Sequence, residues 1–232
     1  MNKKILEYSY QAKKTYRRTV LKIILFIILF YTVLNLILAY LVYPLRQTSI
    51  SMIPDFTDNS WLLATPLDKT PERGDVMVIK NMKSEPASKW ERFLDQIVRT
   101  FTAQQISYLE KSDYPGTRQK IRRVIGMPGD TIYMRDYVTY IKPAGEKHYL
   151  TEFELIERPY NVTFLSTPAG WDTEIGVKGS FEEITLGPDQ YFVLGDNRKT
   201  CDDSRLWDPI SSDFFDGRII LSYFPFSKFK FY

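Results

Sequence analysis

From Ile23 to Tyr43 the chain reads IILFIILFYTVLNLILAYLVY, 21 residues with no charged side chain and only Thr32 and Asn35 conspicuously polar. As a helix this run is about 32 Å long, close to the ~30 Å of hydrocarbon in a bilayer. A helix buried in a soluble core would show a polar stripe somewhere around its circumference, and none is present over roughly six turns. A cleavable leader has an apolar core of about 7–15 residues followed by small residues. Here the run is longer, and Tyr40-Leu41-Val42-Tyr43 offers no small-x-small site. Lys22 on one side, and Tyr40, Tyr43, Pro44 and Arg46 on the other, are residues that suit a membrane interface. The sequence therefore predicts a retained single-span anchor.

Charge gives the anchor a direction. Residues 1–19 hold Lys3, Lys4, Lys13, Lys14, Arg17 and Arg18 against Glu7, five net positive charges, while the whole chain carries only +3. The positive-inside rule places this basic tail (1–19) in the cytoplasm, the anchor at 20–43, and residues 44–232 outside, at the cell membrane. A nucleic-acid partner is disfavoured, because the basic tail abuts the anchor and the remaining body is slightly acidic. With 44% hydrophobic and 25% charged residues, the chain has the composition of a folded protein. His148 and Cys201 are the only histidine and cysteine, so an intrachain disulfide is excluded and a His/Cys zinc site lacks ligands. No metal and no organic cofactor are expected.

Past the anchor, short β-branched or aromatic runs predict strands: Val76–Ile79, Thr131–Met134, Tyr137–Ile141, Tyr191–Leu194 and Arg218–Tyr223. Arg135-Asp136 reads as a tight hairpin turn. Between Trp90 and Tyr108 the apolar positions 90, 93, 94, 97, 98 and 101 recur at a helical period. That segment is expected to be an amphipathic helix packed on the sheet, with a membrane-surface helix as the alternative. The fold class is thus mainly β: one N-terminal transmembrane helix, then an antiparallel β-rich domain with one inserted helix.

Four short strings carry the chemistry. They are Ser49-Ile50-Ser51-Met52-Ile53-Pro54, then Arg73-Gly74-Asp75-Val76-Met77-Val78, then Arg122-Arg123-Val124-Ile125-Gly126-Met127-Pro128-Gly129-Asp130. The last is Gly195-Asp196-Asn197-Arg198, followed by Asp203-Ser204-Arg205 and Trp207. Singly, each is a turn signal or a commonplace. In this order, behind an anchor, they resemble the bacterial type I signal peptidases, and the resemblance extends to Gly217-Arg218. It implies a mostly antiparallel β domain close to the membrane surface, with Ser51 as nucleophile and Ser49 as a side-chain donor to the oxyanion alongside Ser51. It also implies Asp203 and Arg205 as supporting residues. The partners implied are secretory precursors with small residues at −1 and −3, the lipid bilayer and the export translocon.

A serine hydroxyl needs a base to take its proton. In that family the base is a lysine immediately before the arginine of the third string, and the position here holds Arg122. A guanidinium titrates near 12.5–13.8 against about 10.4 for lysine, so at pH 8 roughly one unperturbed arginine in 10⁵ is neutral, a penalty of about 6–7 kcal/mol. The neighbouring positions depart too. Cys201 stands where the family has a serine that steadies the lysine, Asp55 follows Pro54 in place of threonine, and Asp208 follows Trp207 in place of glycine. Three readings stay open. Lys120, two residues away on the same strand face, serves as base. Alternatively Arg122 is a charged placeholder, paired with Asp55, in a homologue that binds precursors as an assembly factor or chaperone. In the third, Arg122 itself is the base. The sequence-level function is a membrane-anchored serine endopeptidase that removes signal peptides, with the impaired homologue as its alternative.

Overall fold

The computed structural model describes residues 3–80, 88–102, 120–163 and 178–232, the first ten of these as helical backbone alone. Helix α1 (Lys3–Tyr40) is unbroken because no proline or glycine occurs before Pro44. Pro44 biases Tyr43 toward extended backbone, and strand β1 (Tyr43–Arg46) starts there, so the last residue of the apolar run is already in the sheet. Within α1, Lys13–Tyr40 holds an 18-residue stretch with a mean hydropathy of 2.6 and is the one described helix long and apolar enough to cross a membrane. Its side chains point outward along the run, Phe26 being 68% and Leu29 62% exposed. Thr32 Oγ1 donates to Ile28 O and Asn35 Nδ2 to Tyr31 O, so these two polar groups bond to their own helix, as a hydrocarbon surrounding requires.

The rest is antiparallel β with short helices. In chain order it comprises β2 (Trp61–Thr65), β3 (Val76–Ile79), α2 (Lys89–Phe101), β4 (Lys120–Gly126), β5 (Thr131–Arg135), β6 (Val138–Lys142), β7 (Leu150–Thr151) and α3 (Glu152–Leu155). Then come β8 (Phe181–Thr185), β9 (Phe192–Leu194), α4 (Ser204–Trp207), β10 (Phe215–Phe224) and β11 (Lys230–Phe231). One sheet runs β1-β2-β10-β3-β4-β9 with β11 added to β10; the other runs β7-β6-β5-β8. The five strands expected from the sequence are all present, and the single expected insertion becomes one longer helix and two four-residue helices.

Strand β4 is the seam of the domain. Residues 121–126 are all buried, and the two-residue alternation sends Ile121, Arg123 and Ile125 to one face and Arg122 and Val124 to the other. Ile121, Val124 and Ile125 fall in three separate hydrophobic clusters. Two arginines in such a strand must be fully paired, which makes it the natural carrier of a polar site.

Two expectations are corrected. The hairpin turn lies at Asp136-Tyr137, one residue later than Arg135-Asp136, with φ of 48° and 66°. A tyrosine accepts that left-handed conformation because Gly179 O receives its N–H at 2.8 Å and its carbonyl receives Arg198 Nη1 at 3.0 Å. The second concerns the segment from Trp90. Its first part is indeed a helix, with Ser88 and Glu91 forming a capping box, but its apolar face does not pack on the sheet. Trp90 is 66% and Phe101 77% exposed, while Asp95 is buried. The helical period specifies a stripe, not what covers it. Residues 103–108 of that expected helix lie outside the described residues. The aromatic ending divides: Tyr232 packs on Phe56 at 4.8 Å between ring centroids, whereas Phe226 and Phe231 stay exposed.

Candidate active site

Ser51 sits in a single helical turn, Ile50–Met52, directly after β1. The fourth string holds this turn in place: Asn197 N donates to Ser51 O at 3.0 Å and Asn197 Nδ2 to Ile50 O at 3.2 Å. Gly195 explains its own identity, since a Cβ there would lie 2.8 Å from Ser51 O and 2.1 Å from Cys201 Sγ. The strings far apart in sequence therefore close on one buried hydroxyl.

Three groups converge on Ser51 Oγ. Arg122 Nη1 donates to it at 3.0 Å, Ser49 Oγ lies at 2.8 Å, and Gln47 Nε2 approaches at 3.4 Å. A serine oxygen offers two acceptor sites and one donor. With the guanidinium and the amide as donors, Ser49 is the acceptor left for the Ser51 proton. Gln47 also bonds Ser49 Oγ and Ser49 O, so it orients both serines; nothing in its sequence context, four residues before Ser51, signals this.

Arg122 has every N–H committed. Nε reaches Asp202 O at 2.9 Å, Nη1 reaches Ser51 Oγ and Ile121 O, and Nη2 reaches Asp202 O and Asp202 Oδ1, both at 2.7 Å. Those bonds use all five donors of a guanidinium. Its carboxylate partner is Asp202 and not the anticipated Asp55. Asp55 instead pairs with Arg123, at 2.9 Å, because Arg123 points to the opposite face of β4. Arg123 is further clamped by both oxygens of Asp196 at 2.9 and 2.6 Å, by Gly74 O, and by the Tyr160 ring 4.0 Å from its Cζ. Burial opposes its charge, but Asp196 and then Asp55 outweigh that and hold its pKa above the ordinary arginine value.

Lys120 does lie on the Arg122 face, as a two-residue spacing requires: both cations stand over the Trp207 ring, at 4.4 and 5.6 Å from its centroid. Its ammonium, however, bonds Asp202 Oδ2. Among the described residues, no lysine is within hydrogen-bond reach of Ser51 Oγ. Asp202 thus ties the two cations together, one per carboxylate oxygen, a role its position after Cys201 does not announce.

Asp203 and Arg205, the residues expected to be supporting, form an ion pair at 2.7 Å that is almost fully buried. Asp203 Oδ2 also accepts Gly195 N, and Arg205 Nη2 reaches Arg198 O, so the pair fastens the fourth string behind Ser51 without touching it. Cys201 is buried beside Arg122, and its Sγ lies 3.6 Å from Asp202 O. Burial pushes its thiol up to about 12, against the weaker opposing pull of the Arg122 charge. The folded pKa exceeds the usual value of about 8.5. The neutral thiol therefore favours the folded state below that pH, and the contribution is lost as the pH climbs toward 12. Cys201 should resist maleimide at pH 8 in the folded protein and react only on unfolding; comparing labelling rates with and without urea checks this.

The chain is similar to known proteins over parts of its length. Signal peptidase I of Bacillus licheniformis is 37% identical over 87 residues, 37% of this chain and 39% of that one. Signal peptidase I of Bacillus caldolyticus is 31% identical over 127 residues, 53% and 59% of the two chains. The chain thus spans between about two fifths and three fifths of the length of these relatives. A signal peptidase I structure from Enterococcus faecalis has a TM-score of 0.32 at 18% identity, over 64% of this chain and 96% of that one. The family described as signal peptidase, peptidase S26, matches residues 17–224, from the tail before the anchor to the end of β10, and the chain belongs to that family.

Proposed function

We propose that the chain is a serine endopeptidase that removes signal peptides from exported precursors, with Ser51 as nucleophile and Ser49 as oxyanion donor. Residues 1–19 face the cytoplasm, 20–43 hold the anchor in the cell membrane, and 44–232 work outside it, beside the translocon that delivers the precursors. The observation that carries this reading is the buried Ser51 hydroxyl, bonded to Ser49 and Arg122 at 2.8 and 3.0 Å only a few residues beyond the anchor. Arg122 acts as a fixed cation that stabilises negative charge on Oγ. It does not take the proton, which leaves to water, a weak base, so turnover is slow and rises with pH.

The saturated Arg122 guanidinium favours a second reading, a family member that binds precursors and releases them uncut. One experiment separates the two: full-length protein in vesicles with a test precursor, assayed between about pH 6 and pH 10. Slow cleavage that rises with pH, vanishes in Ser51→Ala and persists in Lys120→Ala is the expected result. Loss of activity in Lys120→Ala with the fold intact would transfer the base to Lys120. Precursor bound but never cut, by wild type and Ser51→Ala alike, would establish the binding reading.

A further inference from the structure

Helix α2 is built inside out. In an amphipathic helix packed on a protein core the charges face water and the apolar residues face inward. In α2, Trp90, Phe93, Ile97 and Phe101 share one face and are 66%, 53%, 38% and 77% exposed, while Asp95 on the other side is buried and ion-paired with Arg99 at 2.7 Å. Four large apolar side chains side by side form a contiguous patch of the kind that marks a contact surface.

A hydrogen bond to the anchor indicates what that contact is. Tyr31 Oη donates to Thr100 O at 2.8 Å. Tyr31 lies nine residues before the end of α1, about 13 Å along the helix axis and well inside the apolar run. The last turn of α2 is therefore at the depth of hydrocarbon, where an unpartnered carbonyl is costly. That turn is equipped for such a place. Val98 O receives both Thr102 N and Thr102 Oγ1, Thr100 Oγ1 turns back to Gln96 O, and Thr100 O receives the tyrosine. In the first turn the capping box of Ser88 and Glu91 stands with Lys89 and Arg92, charged groups that favour the interface.

We propose that α2 is embedded in the outer half of the bilayer beside the anchor, with Trp90, Phe93, Ile97 and Phe101 against acyl chains and its charged first turn toward the headgroups. The protein is then held to the membrane at two places. α2 supplies a second, non-spanning contact that fixes the height of the β domain over the lipid.

The test uses full-length protein in phosphatidylcholine vesicles, with and without bromine on the acyl chains. The Trp90 emission is taken as the difference between wild type and Trp90→Phe. Bromination should cause loss of that component while aqueous iodide leaves it intact. In the same vesicles Phe93→Cys and Phe101→Cys should resist a charged maleimide that labels Lys89→Cys, native Cys201 being buried. Quenching by iodide and not by brominated lipid, or labelling of Phe93→Cys as fast as Lys89→Cys, overturns the proposal. Protection of Phe93→Cys without lipid quenching also overturns it and assigns the face to another protein surface.

Discussion

Replacing Arg122 by lysine raises precursor cleavage by about 10²- to 10⁴-fold, the usual contribution of a placed general base. Position 122 is locked in register, opposite Met77 of β3, and its side chain already ends 3.0 Å from Ser51 Oγ. An amine in the same cavity can lose its proton, which a guanidinium does not. The structure adds a condition that the sequence does not contain. Asp202 Oδ1 lies 2.7 Å from the present guanidinium and would hold an ammonium in its charged form, raising the lysine pKa. The base works deprotonated, so activity rises as the pH climbs through that pKa. Removing the carboxylate in Arg122→Lys/Asp202→Asn should shift the rising limb to lower pH and increase the rate at neutral pH further. The measurement is kcat/KM against pH for wild type, the single variant and the double variant. An Arg122→Lys protein no faster than wild type at any pH would refute the view that the base alone is missing.

Glu152→Ala should destabilise the domain by about 3–5 kcal/mol, because it leaves a buried guanidinium uncompensated. Arg198 and Glu152 are both fully buried, and the carboxylate also accepts the Tyr160 hydroxyl at 2.5 Å. Arg198 in turn bonds Tyr137 O and Gly195 O, so this pair ties the second sheet to the string that carries Asn197 and steadies Ser51. A denaturant titration reads the loss as a lower midpoint. The partnered substitution Glu152→Leu/Arg198→Met should recover most of the stability, since replacing both members of a buried pair removes the desolvation penalty along with the attraction. A double variant as unstable as Glu152→Ala would show that the network has a role beyond its own electrostatics.

Much of the site could be read before the fold was known. Three of the four short strings single out Ser51, Ser49, Arg122, Asp203 and Arg205, and the structure brings these residues into one polar cluster around or just behind Ser51. The strand runs were legible because alternation and β-branching are local properties. The partner of Arg122 was not. Asp55 and Asp202 are equally plausible carboxylates on the page of the sequence. Which of them meets Arg122 depends on which face of β4 each loop reaches, a consequence of pairing between strands far apart in the chain. Gln47 escaped for the same reason, since its amide matters only because the turn after β1 folds back over it.

The sequence by itself determined the long apolar helix, the β-rich body, the serine that the motif order singles out and the absence of a lysine beside Arg123, because hydropathy, periodicity and motif order need no knowledge of distant contacts. The tertiary structure alone decided that Asp202 clamps Arg122 and Lys120 together, that Asp55 serves Arg123, and that the apolar stripe of α2 faces away from the core. A 3.6-residue stripe looks the same whether it meets protein or lipid, since lipid tails are as apolar as leucine. Only its position against Tyr31 tells the two apart.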